Sequence, residues 1–146
     1  LVLVGKKDGF ISGDGNVGDL VLKYSDRILL TGFVNQNRLE ELYSFADIFV
    51  FPSLYEGFGF PPLEAMVRKC PTLVSNVASI PEVCGNASLY FDPKNVNELS
   101  KKIYKLLRCN GLKSKLVQKG LKRVRYFDWE KTIDQTSIIL RKTLTQ

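Results

Sequence analysis

The chain is 146 residues long, 45% hydrophobic and 25% charged, with a formal net charge of +6. That is the size and make-up of one soluble globular domain with enough apolar surface for a core. Its apolar stretches are only strand-sized, which excludes a membrane-spanning helix. The opening "LVLVG" has no basic flank and no cleavage site, so it does not read as a secretory leader.

Three cysteines, Cys70, Cys84 and Cys109, show no CxxC spacing, and the chain has no histidine. A zinc site is therefore not expected, and an odd, unframed cysteine count suits a reducing cytoplasm. Without histidine, base catalysis in this segment must fall to carboxylates. Charge is uneven: residues 1–100 hold 8 Lys/Arg against 12 Asp/Glu, and residues 101–146 hold 13 against 3. The basic residues alternate with Leu, Ile and Val at helical spacing, so a solvated helix face is the plain reading and an anionic membrane the sharper one. Nucleic acid is not an expected partner.

In chain order, "LVLVG" (1–5) reads as a buried strand closed by glycine. A glycine-rich loop follows and passes into a short helix near 17–24. "RILLTGFV" (27–34) is a second strand and "NQNRLEELYSFA" (35–46) a helix. "DIFVFPS" (47–53) is a third strand, apolar throughout, as suits a strand covered on both faces. "PPLEAMVRK" (61–69) opens a helix on prolines, whose missing N–H groups would be unpaired there anyway. "PTLVS" (71–75) is a fourth strand, "IPEVCG" (80–85) a turn or single helical turn, and "SLYFDP" (88–93) a fifth strand. Asn95 and Glu98 then form an N-cap and N3 pair, opening a helix with Val96, Leu99, Ile103, Leu106 and Leu107 on one face. Residues 112–124 and 129–144 are two further amphipathic helices, the last capped by Asp128.

This alternation predicts an α/β fold, a parallel sheet with helices on both faces. Ligands of such sheets bind beyond the carboxyl ends of the strands, which puts loops 5–16, 32–37 and 52–61 on the binding rim. Three motifs lie there. "GDGNVG" (13–18) is a literal GxGxxG, but a dinucleotide fingerprint needs its first glycine directly after the strand, and seven residues separate Gly5 from Gly13. A surface loop with turn glycines is the plainer reading; a nucleotide- or dinucleotide-binding domain of NAD type is the alternative that the motif keeps open. "TGFVN" (31–35) ends a strand on Thr-Gly, exposing backbone at Gly32, Phe33 and Val34 that can read a base edge, or simply turn.

The third motif is "SLYEGFGFPPLEAM" (53–66), in which Glu56 and Glu64 flank glycine, phenylalanine and proline. Gly57 and Gly59 allow tight turns and close approach of backbone to a ligand. The helix that follows offers free N–H groups from about Phe58 to Phe60 onward, a site suited to phosphate. Glu56 falls in the loop ahead of the helix, and Glu64 is expected in its first turn. Carboxylates accept paired hydrogen bonds from vicinal hydroxyls such as those of sugar and ribose. Glu64 alone also reads as compensation of the helix dipole; Glu56, outside the helix, does not.

With "DRILLTGFV", "LEELYSFADIFVFPSLYEGFGFPPLEAM", "PTLVSNVASIPEVCGNASLYFDP" and "RYFDWEKT" in this order, the chain resembles, almost end to end, the C-terminal donor-binding domain of a family 4 glycosyltransferase of the GT-B fold. Glu56 and Glu64 match that family's E-x7-E pattern. The resemblance implies a Rossmann-like donor domain, spanning 1–146, of a retaining, metal-independent enzyme with no cofactor beyond its substrate, a nucleotide-diphosphate sugar. It implies that Glu56, the catalytic candidate, binds donor-sugar hydroxyls, and that Glu56, Gly57, Phe58, Gly59 and Phe60 hold the sugar and diphosphate. Glu64 would bind the ribose, and the backbone of Gly32, Phe33 and Val34 the base. The wording of "GFGFPPLEAM" and "VSNVASIPEV" resembles bacterial mannosyltransferases of surface polysaccharide synthesis. That favours GDP-mannose over UDP-sugars, a glycan or lipid-linked glycan acceptor, and a cytoplasmic location, peripheral at the inner membrane face.

Three departures from the family pattern carry expectations. The family's domain begins one strand earlier, with an Arg and a Lys that neutralise the diphosphate; Lys6 and Lys7 lie on the same rim without matching them. The acceptor domain is not in this sequence, so the chain by itself is expected to bind nucleotide and to catalyse nothing. Lys69 and Cys70 replace the usual glycine and small residue after the 61–69 helix, which predicts backbone strain at Lys69.

Overall fold

The computed structural model describes residues 1–5 and 15–144. The chain divides into two compact units, Leu1–Leu42 and Tyr43–Gln146. In the first, β1 (Val2–Val4) and β2 (Leu29–Gly32) pair in parallel, Val2 opposite Leu29 and Leu3 opposite Leu30. Helix α1 (Gly15–Lys23) lies between them in sequence, as a parallel pair requires a crossover connection. Helix α2 (Gln36–Phe45) follows β2, and the Asn35 side chain accepts from the Arg38 N–H at 2.9 Å to cap it. The expected burial of the first strand does not hold. Val2 and Val4 are 44% and 45% exposed, because a two-stranded sheet with one short crossover helix has too little surface to cover both of its faces.

The second unit is built on a parallel sheet in the order β3-β4-β5: β3 (Phe49–Phe51), β4 (Thr72–Ser75) and β5 (Leu89–Phe91). Its register sets Val50 beside Leu73 beside Leu89, and Phe51 beside Val74 beside Tyr90. Since strand side chains alternate between faces, two cores result. Leu63 and Met66 of α3 (Phe60–Val67) pack with Val74, and with Ile80, Val83 and Cys84 of α4 (Ile80–Cys84), on one side. On the other, Leu73 and Phe91 pack with Leu106 of α5 (Val96–Arg108) and Leu116 of α6 (Asn110–Val124). Helices on both faces, as predicted, leave all four residues of β4 buried. β3 is covered from both sides but remains half-buried.

Local chemistry explains the boundaries. Asn95 Oδ1 accepts from the Glu98 N–H at 3.0 Å, the expected cap of α5. Asp128 Oδ1 accepts from the Glu130 N–H at 2.9 Å ahead of α7 (Trp129–Leu144). "IPEVCG" is more than a turn: α4 runs five residues and is followed by a 3-10 turn over Gly85–Ala87. Helix α3 ends as the substitution of glycine predicts. The Cys70 N–H reaches Ala65 O at 2.9 Å and the Lys69 N–H reaches Met66 O at 3.1 Å, the two bonds of a Schellman cap. That cap places Lys69 at φ 60°, in the left-handed region. Among the described residues, no helix is long and apolar enough to cross a membrane.

Edge strand β5 has its outer polar groups met by α5. Glu98 Oε2 accepts from the Asp92 N–H at 2.9 Å, and Lys102 Nζ donates to Tyr90 O and, at 2.6 Å, to Glu98 Oε1. An ion pair on the neighbouring helix thus covers backbone that would otherwise invite another strand.

Candidate functional site

Strand β3 delivers the chain at its carboxyl end to residues 52–59, and α3 begins at Phe60. Gly59, just ahead of the helix, has φ 99° and ψ 56°, a conformation that glycine takes without strain. Gly57 shows no positive φ, and a Cβ added there would meet nothing within 4 Å. The turn therefore requires one of the two glycines, and the other leaves open space above the backbone.

The prolines shape what the helix start can offer. Pro61 and Pro62 carry no N–H, so the unpaired donors stop at Phe60 instead of continuing into the helix. Among the described residues, the amides of Gly57, Phe58, Gly59 and Phe60 have no hydrogen-bond acceptor in the protein. Successive N–H groups without an acceptor at a glycine turn are donors that an anion can use.

Glu56 is half-buried in this loop. Ser53 Oγ donates to its Oε1 at 2.9 Å, and Ser53 is itself fixed by Ser75 Oγ, which donates to Ser53 O at 2.6 Å. Glu64 is the fifth residue of α3, not a member of its first turn, and no acid stands in that turn. Helix α3 begins at Phe60, one residue ahead of the expected Pro61, and this moves Glu64 from the fourth position to the fifth, past the first turn in which dipole compensation acts. Its Oε2 accepts from the Tyr43 hydroxyl at 3.1 Å. Burial first, and then the Glu64 carboxylate, raise the Tyr43 phenol well above its usual pKa, so it remains a donor at every physiological pH. Each glutamate thus has one oxygen held by a protein hydroxyl, and no hydrogen bond to the other is seen among the described residues.

Aromatic packing braces the loop from the far end of the chain. The Phe58 ring lies 4.6 Å from that of Phe60 and meets Phe127 edge-on at 5.6 Å. Arg123 covers Phe127 at 5.2 Å, donates from Nε to Val83 O at 2.8 Å, and donates from Nη2 to Glu82 O. One guanidinium therefore ties the end of α6 to the last carbonyls of α4.

Of the sequence-predicted site residues, Glu56, Gly57, Phe58, Gly59, Phe60 and Glu64 share the loop and helix of the second unit. Gly32, Phe33 and Val34 belong to the first, where Gly32 ends β2 at φ 72° and the Phe33 side chain is 84% exposed. Lys6 and Lys7, and Gly13 and Asp14 of "GDGNVG", lie outside the described residues. The rest of the motif, from Gly15 to Gly18, is helical: Gly18 belongs to α1, and a Cβ there would meet nothing within 4 Å. The close helix–strand contact that a dinucleotide fingerprint asks of its last glycine is not made among the described residues.

Sequence reading missed Tyr43, Ser53, Ser75, Ser79 and Phe127. The signal for Ser79 was present. The rule that named three rim loops applies equally to residues 76–79, which leave the carboxyl end of β4 beside the Glu56 loop: Ser79 Oγ stands 2.9 Å from Glu56 O and 3.0 Å from Phe58 O.

Comparison with known proteins decides the family. Residues 19–123 match the family model described as glycosyl transferases group 1, which is more than half of the chain. The chain belongs to that family. It is 42% identical over 105 residues to O-antigen chain mannosyltransferase B of Escherichia coli, covering 72% of this chain and 28% of that protein. Sucrose-phosphate synthase from Thermosynechococcus elongatus superposes with a TM-score of 0.82 at 29% identity, over 99% of this chain and 38% of its own. The fold recurs at 18% identity in Anabaena HepE, solved in complex with UDP-glucose, with a TM-score of 0.82 over 97% of this chain and 40% of its own. The α/β fold expected from the sequence, parallel strands flanked by helices, is thereby shared with a domain of these proteins. The chain spans 28% of the length of that mannosyltransferase B and 13% of that of the serotype-specific mannosyltransferase WbdA of Escherichia coli, to which it is 39% identical over 106 residues, 73% of this chain.

Proposed function

We propose that this glycosyltransferase domain binds a nucleotide-diphosphate sugar, with GDP-mannose the favoured donor, for retaining, metal-independent transfer to a glycan of the cell surface. The observation that carries the reading is the arrangement of the loop: two carboxylates, each held by a protein hydroxyl, on either side of amides 57–60 that have no acceptor among the described residues. Glu56 takes the sugar hydroxyls through its open oxygen, Glu64 takes the ribose diol, and the amides take the diphosphate. The open space above Gly57 lets the donor approach the backbone closely. As the glycosidic bond breaks, negative charge grows on the diphosphate, and donors already oriented toward it lower the barrier without reorganising. The names of the mannosyltransferase relatives support the mannosyl donor. The base contact at Gly32, Phe33 and Val34 in the first unit is carried by the motif resemblance alone, as is peripheral attachment at the inner face of the membrane, where a lipid-linked acceptor would be met.

The test is a ligand titration of the 146-residue chain by NMR with GDP, GDP-mannose, UDP and NAD, repeated with Glu64→Ala. Binding of GDP or UDP should weaken roughly ten- to a hundredfold in the variant, the worth of one or two charged hydrogen bonds. Binding of NAD alone, or equal affinity in the variant, would overturn the donor-site reading.

A further inference from the structure

The structure assigns a positioning role to Ser79: its hydroxyl clamps the carbonyls of Glu56 and Phe58, and so aims the N–H groups of Gly57 and Gly59 at the donor diphosphate. This rests on the donor-site reading above and goes beyond it, since it names what sets the direction of the amides. The geometry is simple. The Ser79 oxygen lies 2.9 Å from Glu56 O and 3.0 Å from Phe58 O, so one hydroxyl hydrogen serves two acceptors. In a planar trans peptide the C=O and the N–H of the same unit point in opposite directions. Fixing Glu56 O toward Ser79 turns the Gly57 N–H away from it, and fixing Phe58 O turns the Gly59 N–H the same way. These are two of the four amides that have no acceptor among the described residues.

Three further observations show that the clamp is built in. Both glycines could rotate their peptides readily, so the loop needs an outside constraint to hold one orientation. Ser79 lies immediately ahead of α4, whose buried Ile80 packs beneath Gly59, with Ile80 Cγ1 3.8 Å from the position of an added Cβ. The residue before it, Ala78, is held at φ 49°, a region that residues with a Cβ enter only when their surroundings impose it. The loop after β4 thus sustains local strain while presenting a single hydroxyl to two carbonyls of the neighbouring loop.

The test compares the full chain with Ser79→Ala and Ser79→Thr, threonine keeping the hydroxyl. In the free protein, 15N relaxation of the Gly57 and Gly59 amides should show order in the parent chain, loosening in the alanine variant and recovery in the threonine variant. GDP titration should weaken about tenfold in Ser79→Ala, with the melting temperature nearly unchanged, and recover in Ser79→Thr. Amides as ordered in Ser79→Ala as in the parent, or an unchanged GDP affinity, would overturn the assignment. If the parent chain binds no nucleotide while the relaxation follows the hydroxyl, the donor-site reading fails and the clamp on the amides stands. Should the alanine variant not fold, Ser79→Cys, which keeps the volume and gives up the strong donor, takes its place in both measurements.

Discussion

Helices α3 and α7 carry similar sequence signals and meet opposite fates. Both open on a turn feature, prolines in one and Asp128 in the other, and both intersperse apolar with polar residues. Helix α3 buries Pro62, Leu63, Ala65 and Met66 against β4 and α6. Helix α7 is twice as long and leaves Trp129 73% and Ile139 63% exposed. Periodicity states that a stripe exists, not what covers it. A helix is held in place by its neighbours, and α3, which presents the Glu56 loop and Glu64, is held from two sides.

The widest test of that contrast removes one large side chain from each region. Phe91→Ala, on the core face of β5 where the ring is 1% exposed, should cost about 3–5 kcal/mol in urea denaturation. Ile139→Ala on α7 should stay within about 0.5 kcal/mol. Comparable losses would mean that the α7 face is covered in solution, and the contrast would break.

Elements whose signal is local were legible in the sequence. Strand cores, the Asn95–Glu98 and Asp128 caps, and the strained end of α3 depend on a few adjacent residues, and each came out where expected. Burial of β1 was not legible, because apolar composition does not say whether a sheet has enough neighbours to cover it. Glu64 was misplaced by one residue, enough to carry it out of the first turn, because prolines announce a helix without fixing its first residue. The rim rule could have pointed to the loop of Ser79, but the contacts of Tyr43, Ser79 and Phe127 with their partners were not legible, for a different reason. They join residues about 21, 23 and 69 positions apart in sequence, and no short window holds both partners.

A smaller effect sharpens why α3 is immobile. At Gly120 of α6, an added Cβ would stand 2.9 Å from Met66 Cγ and 3.1 Å from Met66 Cβ. Those atoms lie near the backbone of α3 and cannot swing aside. Gly120→Ala should therefore destabilise by about 1–3 kcal/mol by overpacking, although alanine favours a helix by roughly 1 kcal/mol over glycine. Gly111→Ala in the same helix, where nothing lies within 4 Å, isolates the propensity term and should stabilise. If both variants gained stability on thermal melting, the α3–α6 contact would be looser than its geometry states.

The smallest effect concerns the exit of α3. Lys69 completes a Schellman cap at φ 60°, where a Cβ crowds the following carbonyl at a cost of roughly 1–2 kcal/mol. Lys69→Gly removes that crowding but loosens the unfolded chain, which returns about 0.4–1 kcal/mol. The net gain should be a few tenths to about 1 kcal/mol. Lys69→Val, β-branched at positive φ, should lose stability instead. The two shifts together are diagnostic, because a charge effect at Lys69 would move both variants the same way, whereas backbone strain moves them apart. The residue is tolerated because its neighbours are fixed independently. Cys70 and Pro71 are buried, and the Phe49 N–H donates to Pro71 O at 2.9 Å as β4 begins. β4 is the strand that ends at Ser75, which holds Ser53 and through it the Glu56 carboxylate. Opposite signs for the two variants would therefore place the strain at the start of the strand whose far end orients the site.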